Sequence, residues 1–279
     1  MLFDAHTHLN EPKYTDEERA ELAARIETSP VSYIMDVGSN LSDCRQAIKD
    51  AETYPWCYAA VGCHPHDTKD MDDAALEQIR AWAGHEKVKA IGEIGLDFYY
   101  DWSERDVQRE WFRRQIRLAN ELKMPIMIHT RDAEKETMDI LTEEGAFTEE
   151  RQSWFPKRPG PDGKLLPDSR VLIHCFSGSA ETAAEYVKKG ATISICGPVT
   201  YKNNRKTQEV VRRTPIEFLT VETDAPYLTP VPMRGKPNMS PFVQYTCRKV
   251  AELKGIPYEE AARITCENAM RFYDIKESE

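Results

Sequence analysis

The sequence predicts an α/β fold, a (β/α)8 TIM barrel running as a single domain over residues 1–279, and three observations predict it. Eight short apolar, β-branched runs alternate with helix-like segments. The ends of the early runs recur at the spacing of one βα unit. The length suits a barrel, for which about 250 residues is typical. The runs are Leu2–His6, Ser32–Val37, Cys57–Cys63, Val88–Glu93, Pro125–His129, Val171–Cys175, Ala191–Ile195 and Glu217–Glu222. Near-continuous apolarity, as in "VLIHCF", fits strands buried on both faces of a parallel sheet. From Val37 to Cys63 is 26 residues and from Glu93 to His129 is 36, the length of a strand, a helix and two loops. A doubly wound open sheet is the runner-up; it is weaker because no Gly-rich phosphate loop follows any early run.

The segments between the runs carry helix signals. "TDEERAELAARIE" begins with Thr15 and Glu18 at capping-box spacing. "SERDVQREWFRRQIRLANEL" places Val107, Trp111, Ile116 and Leu118 near helical spacing, with Ser103 as its expected cap. "SAETAAEYVKKG" ends in two lysines and a glycine, which suit a helix C-terminus. "NNRKTQEVVRR" and the segments after Ser240 also read as helices, and the region from Tyr258 to Phe272 is expected to complete the outer layer. The acidic face within 134–150 reads as solvated surface. One stretch breaks the rhythm: "AFTEERQSWFPKRPGPDGKLLPDS", residues 146–169, is rich in Pro, Gly and charge and has no period. It is expected to be an insertion loop before the sixth strand, either a lid or a solvated excursion.

Composition excludes several classes. No basic segment followed by an apolar stretch opens the chain, and no apolar run reaches the ~18 residues of a membrane span, so a cytoplasmic protein without a membrane partner is expected. The seven cysteines are scattered with no CxxC, which points to reduced thiols and away from a disulfide framework or a cysteine-rich zinc site. A formal net charge of −10 counts against broad electrostatic attraction to nucleic acid, though not against a local cleft that handles one phosphate. A monomer is the default expectation.

Chemistry concentrates at the strand ends. His6 and His8 lie at and just past the end of the first run; Glu93 and His129 end the fourth and fifth; His174 is near the end of the sixth; Asp224 follows the eighth. In a parallel barrel all strand C-termini open on the face that carries the active site. Residues alternate along a strand, so His6 and His8 point the same way and can give two imidazoles to one ion. Singly, a histidine at a strand end is more often a satisfied polar residue than a ligand. Four of the seven histidines with two carboxylates at equivalent positions are poorly explained that way. Four His with two carboxylates exceed what one ion takes and suit two ions about 3.5–4 Å apart. We expect His6, His8 and Asp224 on one ion, His129 and His174 on the other, and Glu93 bridging. A water between two such cations becomes hydroxide near neutral pH, and Asp224 could hold it in line.

Further candidates surround this set. His64 in "GCHPH" could contact a scissile phosphate or donate a proton, with His66 beside it; a turn fixed by Pro65 is the plainer account. Arg131 could clamp a phosphate with its planar fork, or pair with Asp132 or a loop carboxylate. "MRGKPN" supplies Arg234, Lys236 and Asn238 after the eighth strand, where barrels often bind phosphate. Tyr99 and Tyr100 could stack on a base, although tyrosines in barrel loops more often pack.

"FDAHTHLN", "VGCHPH", "IGEIGLDFYY", "PIMIHTRDA", "IHCFSGS" and "VETDAPYLTP", in order from residue 2 to about 238, resemble the motif series of the TatD family of metal-dependent hydrolases, within the amidohydrolase-like barrel superfamily. The resemblance implies a TIM barrel, a divalent-metal site held by His6, His8, Glu93, His129, His174 and Asp224, and commonly deoxyribonuclease activity. Residues 146–169 depart from it, because family members usually pass from helix five to strand six by a short connection.

The leading expectation is therefore a hydrolase with two divalent ions (Mg, Mn, Zn, Ni or Co) that cleaves phosphodiester bonds of single-stranded or end-frayed DNA. Hydroxide would attack phosphorus, Asp224 and Glu93 would serve the catalytic centre, His64 would protonate the leaving oxygen, and Arg131, Arg234 and Lys236 would contact the substrate. The same ions could instead serve an ester or amide hydrolase, such as an aminoacyl-tRNA deacylase, since they also polarise a carbonyl. A catalytically silent binding protein is the third alternative.

Overall fold

The computed structural model describes residues 1–276; the last three residues of the expected 1–279 span lie outside the described residues. The first half alternates β1 (Leu2–Thr7), α1 (Asp16–Glu27), β2 (Val31–Val37), α2 (Leu41–Thr53), β3 (Cys57–Val61), α3 (Asp73–Ala83), β4 (Val88–Asp97), α4 (Arg105–Leu122) and β5 (Ile126–Arg131). After α5 (Glu134–Glu143) come α6 (Glu149–Ser153) and a short antiparallel pair, β6 (Arg158–Pro159) with β7 (Leu165–Leu166). The alternation resumes with β8 (Val171–Ile173), α7 (Ala180–Lys188), β9 (Thr192–Ile195), α8 (Arg205–Arg213) and β10 (Leu219–Val221), and ends in α9 (Val243–Lys254) and α10 (Tyr258–Phe272).

Eight parallel strands lie in the order β1-β2-β3-β4-β5-β8-β9-β10. The two outer members meet: the Asp224 amide donates to His6 O and the His8 amide to Ala225 O, each at 2.9 Å. This sequential, closing order is a TIM barrel and removes the doubly wound alternative, whose strand order reverses. Outward strand residues such as Leu2, Ile34, Ile91, Ile126 and Ile173 pack with the helices. Inward residues Phe3, Ala5, Met35, Val37, Ala60, Ala90, Met127 and Leu172 form a second core.

That inner core corrects the expectation for the last helix. The end of α10 does not merely complete the outer layer: Ala269, Phe272, Tyr273 and Ile275 join the inner cluster, and the Tyr273 hydroxyl donates to Ala5 O at 2.8 Å. The segment thus plugs the barrel from its N-terminal end, leaving the opposite mouth for polar groups.

Two irregularities aim side chains into that mouth. The β1–β2 register shifts between Asp4 and Thr7, and the β4–β5 register shifts between Ile91 and Ile94. Strict alternation from Phe3 and Ala5 would turn His6 outward, and alternation from Ala90 would turn Glu93 outward. A bulge adds one residue and reverses the parity, so both face in. β4 also runs four residues past Glu93, to Asp97, rather than ending there. Gly95 permits this, because a Cβ at that position would collide with the His129 carbonyl.

Local signals behave physically. The Glu18 amide donates to Thr15 Oγ1 and the Thr15 amide to Glu18 Oε2, completing the capping box of α1. Ser103 differs from expectation. It does not cap α4, which begins after Glu104 without a side-chain cap; Ser103 Oγ donates to His66 O at 2.8 Å and accepts from the Lys69 amide at 3.1 Å. The acidic face beyond residue 134 is not simply solvated, since Glu136 pairs with Arg109, Glu143 with Arg113, and Glu144 with Arg113 and Arg117 of α4.

Residues 146–169 are neither structureless nor a lid over the polar mouth. Arg151 is fully buried and donates to Ser169 O, Met124 O and Asn120 Oδ1; Arg158, equally buried, donates to Thr192 Oγ1 and Glu217 O. These partners precede or open the strands, so the segment is bolted to the N-terminal rim. Among the described residues no helix is long and apolar enough to cross a membrane.

Candidate metal centre at the strand C-termini

The mouth gathers donors from β1, β4, β5 and the residues just past β8 and β10. Glu93, 3% exposed, lies at the middle of the group. Its Oε2 is 3.5 Å from His6 Nε2, while its Oε1 is 2.8 Å from His129 Nδ1, 3.3 Å from His174 Nε2 and 3.7 Å from His64 Nε2. On the Oε2 side, His6 Nε2 and His8 Nε2 are 3.1 Å apart, and Asp224 Oδ1 lies 3.6 and 3.4 Å from them. Ligand atoms around one tetrahedral zinc are separated by about 3.3 Å, given metal–nitrogen bonds of about 2.0–2.1 Å. The donors therefore have the spacing of an ion's coordination shell, and they divide into two groups about the two oxygens of one carboxylate. By ligand-atom positions alone, His6, His8 and Glu93 form one cluster able to hold an ion, His64, Glu93 and His129 another, and His6, His174 and Glu222 a third that spans the two.

Proton positions, inferred from hydrogen-bond partners, show what each imidazole can do. His8 Nδ1 donates to Val37 O at 2.8 Å, and His6 Nδ1 faces the Met127 sulfur at 2.9 Å. His174 Nδ1 faces Glu222 Oε1 at 2.9 Å, and His129 Nε2 faces Asp97 Oδ2 at 3.1 Å. His8, His6 and His129 each meet an acceptor at the outer nitrogen, and His174 Nδ1 lies against Glu222 without hydrogen-bond geometry; on each ring the inner nitrogen is the one that would face an ion once the ring is neutral. His64 is the reverse. Its Nδ1 accepts from the His66 amide at 3.1 Å, so Nε2–H points at Glu93. His64 thus offers a hydrogen-bond donor where the other four would offer lone pairs to an ion.

Without an ion, the rings differ in charge. Burial opposes ionisation of Glu93, yet the surrounding imidazoles, His174 foremost, hold its carboxyl well below the usual range. Burial, reinforced by neighbouring imidazoles, drives His6 and His64 well below the ordinary histidine value, so both are neutral. Burial also opposes a proton on His8, but the hydrogen bond and charge of Asp224 outweigh it and raise His8 to about 9. Glu222 and Glu93 outweigh burial at His174, and Asp97 and Glu93 do so at His129.

Several residues matter here that local patterns did not single out. Glu222, fully buried, faces His174 Nδ1 and accepts from the Cys175 amide. Asp97 holds His129 and His66 with Oδ2, and accepts from the Tyr99 and Tyr100 amides with Oδ1. Asp4 accepts from the Thr223 amide and pins β1 to the segment bearing Asp224. A signal existed for two of them: Asp97 follows Glu93 by four in the same extended run, and Glu222 precedes Asp224 by two. Cys175 and Cys196, distant in sequence, come together with Glu222, their ligand atoms within 4.8 Å of one another.

The other candidates separate. Arg131 sits on the rim with its guanidinium 4.0 Å from the centre of the Tyr99 ring, forming no ion pair with Asp132, and it lines a cavity of about 340 Å³ with His129, His174 and Asp224. Arg234 lies over Tyr201 and Lys236 is exposed; neither lines that cavity. Asn238 is structural: buried, it donates to Thr223 O and Tyr227 O. Tyr99 and Tyr100 are exposed rather than packed.

Comparison with known proteins places this geometry. A family model described as TatD related DNase matches residues 3–274. The chain is 43% identical over 275 residues to an uncharacterized metal-dependent hydrolase, YabD, of Bacillus subtilis, covering 99% of this chain and all of that one. It is 31% identical to the 3'-5' ssDNA/RNA exonuclease TatD of Pectobacterium atrosepticum, over 98% of this chain and all of the relative. The crystal structure of YJJV, a TatD homolog from Escherichia coli K12, superposes with a TM-score of 0.84 at 27% identity, covering 99% of this chain and 98% of the other.

Proposed function

The chain belongs to the TatD family of metal-dependent hydrolases, and on that premise we propose that it is a deoxyribonuclease using two divalent ions to cleave phosphodiester bonds at the ends of single-stranded or frayed DNA. Membership of a hydrolase family sets aside the catalytically silent alternative. The observation that carries the proposal is the division of labour among the histidines: four inner nitrogens arranged about Glu93 and Asp224, and one N–H, on His64, directed into the same space.

In this reading His6, His8, Asp224 and Glu93 would hold one ion, and His129, His174 and Glu93 the other. When bound, such ions supply Lewis-acid neutralisation of phosphate charge and a water acidified toward neutral pH. The protein's own groups do the rest. Asp224, partly exposed at the mouth, is the carboxylate placed to orient the attacking water and take its proton. His64, kept neutral by burial, has no acidic proton to give, which corrects its expected role: it donates a hydrogen bond from Nε2–H to the leaving oxygen, which takes its proton from solvent. Arg131 offers a guanidinium at the rim of the cavity to a substrate phosphate. Arg234 and Lys236 would engage only a longer strand reaching across the rim. Glu222 and Asp97 act through His174 and His129, holding each ring with its lone pair inward.

The test is release of nucleotides from an end-labelled single-stranded DNA oligomer with Mg or Mn, against chelator, beside Asp224→Asn. Metal-dependent release should fall by at least about 100-fold in the variant, the scale for removing a positioned acid–base group. An intact oligomer with metal demonstrably bound would overturn the proposal and make an aminoacyl ester the next substrate.

A further inference from the structure

Three large aromatic side chains stand in water beside the candidate centre: Tyr99, Tyr100 and Trp102 are 58%, 44% and 60% exposed. Single exposed apolar residues need no explanation, but a contiguous group does. Ring centres are 4.8 Å apart for Tyr99–Tyr100 and 5.2 Å for Tyr100–Trp102, and His66 continues the group at 4.4 Å from Trp102. The loop bearing them owes its shape to polar groups. Asp97 Oδ1 accepts the Tyr99 and Tyr100 amides at 3.0 Å each, and Ser103 ties the following residue to the His66–Lys69 turn. The rings themselves contribute little burial, so folding does not account for them.

Arg131 adds a cation. Its guanidinium lies 4.0 and 4.7 Å from the Tyr99 and Tyr100 ring centres and makes no salt bridge among the described residues. The same Asp97 that shapes the loop holds His129, so one carboxylate separates this surface from the metal donors. Exposed π-faces and an uncommitted cation beside a phosphodiester site match one chemistry: unpaired nucleobases joined by phosphates. Bases stacked in duplex DNA cannot offer their faces. The net charge of −10 sharpens the point, since the general field of the protein repels a nucleic acid and local contacts must supply the affinity.

We infer that Tyr99, Tyr100, Trp102 and Arg131 form a stacking platform that receives the unpaired bases next to the scissile bond, and that this platform selects single strands without reading their sequence. The inference rests on the proposed phosphodiesterase function but is tested apart from it. Trp102→Ala and Tyr100→Ala are compared with the unaltered protein on two oligomers of equal length, one bearing bases and one built on tetrahydrofuran abasic units. Each variant should raise KM for the base-bearing oligomer about tenfold or more with little change in kcat, while KM for the abasic oligomer, which has nothing to stack, stays similar. Trp102→Phe should restore most of the loss. Equal effects on both oligomers, or none on either, would overturn the platform. Should neither oligomer be hydrolysed even by the unaltered protein, the phosphodiesterase reading fails, and the platform is judged on binding: fluorescence quenching by the base-bearing oligomer only, lost in Trp102→Phe, supports it, and its absence rejects it.

Discussion

Which nitrogen of each imidazole carries its proton decides what the residue can do, and this follows from partners far away in sequence. His8 shows the consequence for pH. Without an ion it is raised from 6.5 to about 9, because Asp224 outweighs burial. A histidine raised on folding stabilises the ion-free protein fully below the unfolded value of 6.5, and that stabilisation is lost as pH rises through about 9. Metal binding runs the other way, since Nε2 must give up its proton to become a ligand. Apparent metal affinity should therefore weaken by at least about tenfold for each pH unit lowered between about pH 8 and pH 6. Competition against a chromophoric chelator would measure this, and an affinity flat in pH would mean that metal does not displace the proton of His8. The cluster about Glu93 was legible in the sequence because its members close or follow apolar runs. The outer partners Glu222 and Asp97 were not, because their importance lies in the ring each one faces.

At the scale of elements, the eight apolar runs mark all eight barrel strands to within a few residues, and the capping pair Thr15 and Glu18 marks the start of α1. What the runs could not show is the parity of side chains. His6 and Glu93 face inward only because the register shifts in β1 and β4, and a bulge leaves no mark on hydrophobic periodicity. Nor could local sequence show that Ser103, placed as a helix cap, would turn away to join two loops. Ser103 is 2% exposed, and its hydroxyl spans His66 O and the Lys69 amide. Ser103→Ala should destabilise the protein by about 2 kcal/mol, the cost of leaving buried groups unpaired. The mechanism is separable from capping by hydrogen exchange. The Lys69 amide should lose protection while the first turn of α4 keeps its own; the opposite result would restore Ser103 to the role of a cap.

At the scale of the whole molecule, the candidate metal donors come from both outer strands of the sheet and from the strands between them. The barrel closes through two backbone bonds that flank His6 and Asp224, with the Asp4–Thr223 bond beside them. The opposite end is sealed by α10 and by the buried arginines of residues 146–169, none of which approaches the donors. Ions shared by β1 and the segment after β10 would therefore brace the seam where the sheet has fewest bonds, while leaving the plug unchanged. A ligand that binds only the folded state at about 100 times its Kd stabilises by about 2.7 kcal/mol. At about 2–4 °C per kcal/mol for a chain near this size, Mn or Zn should raise Tm by about 5 °C or more, and chelator should reverse the gain. The location of the effect is the sharper expectation. Amides of β1 and of residues 222–226 should gain hydrogen-exchange protection on metal addition, while those around Arg151 and Phe272 should not. A gain spread evenly over both ends would mean that metal stabilises the barrel by some route other than its seam.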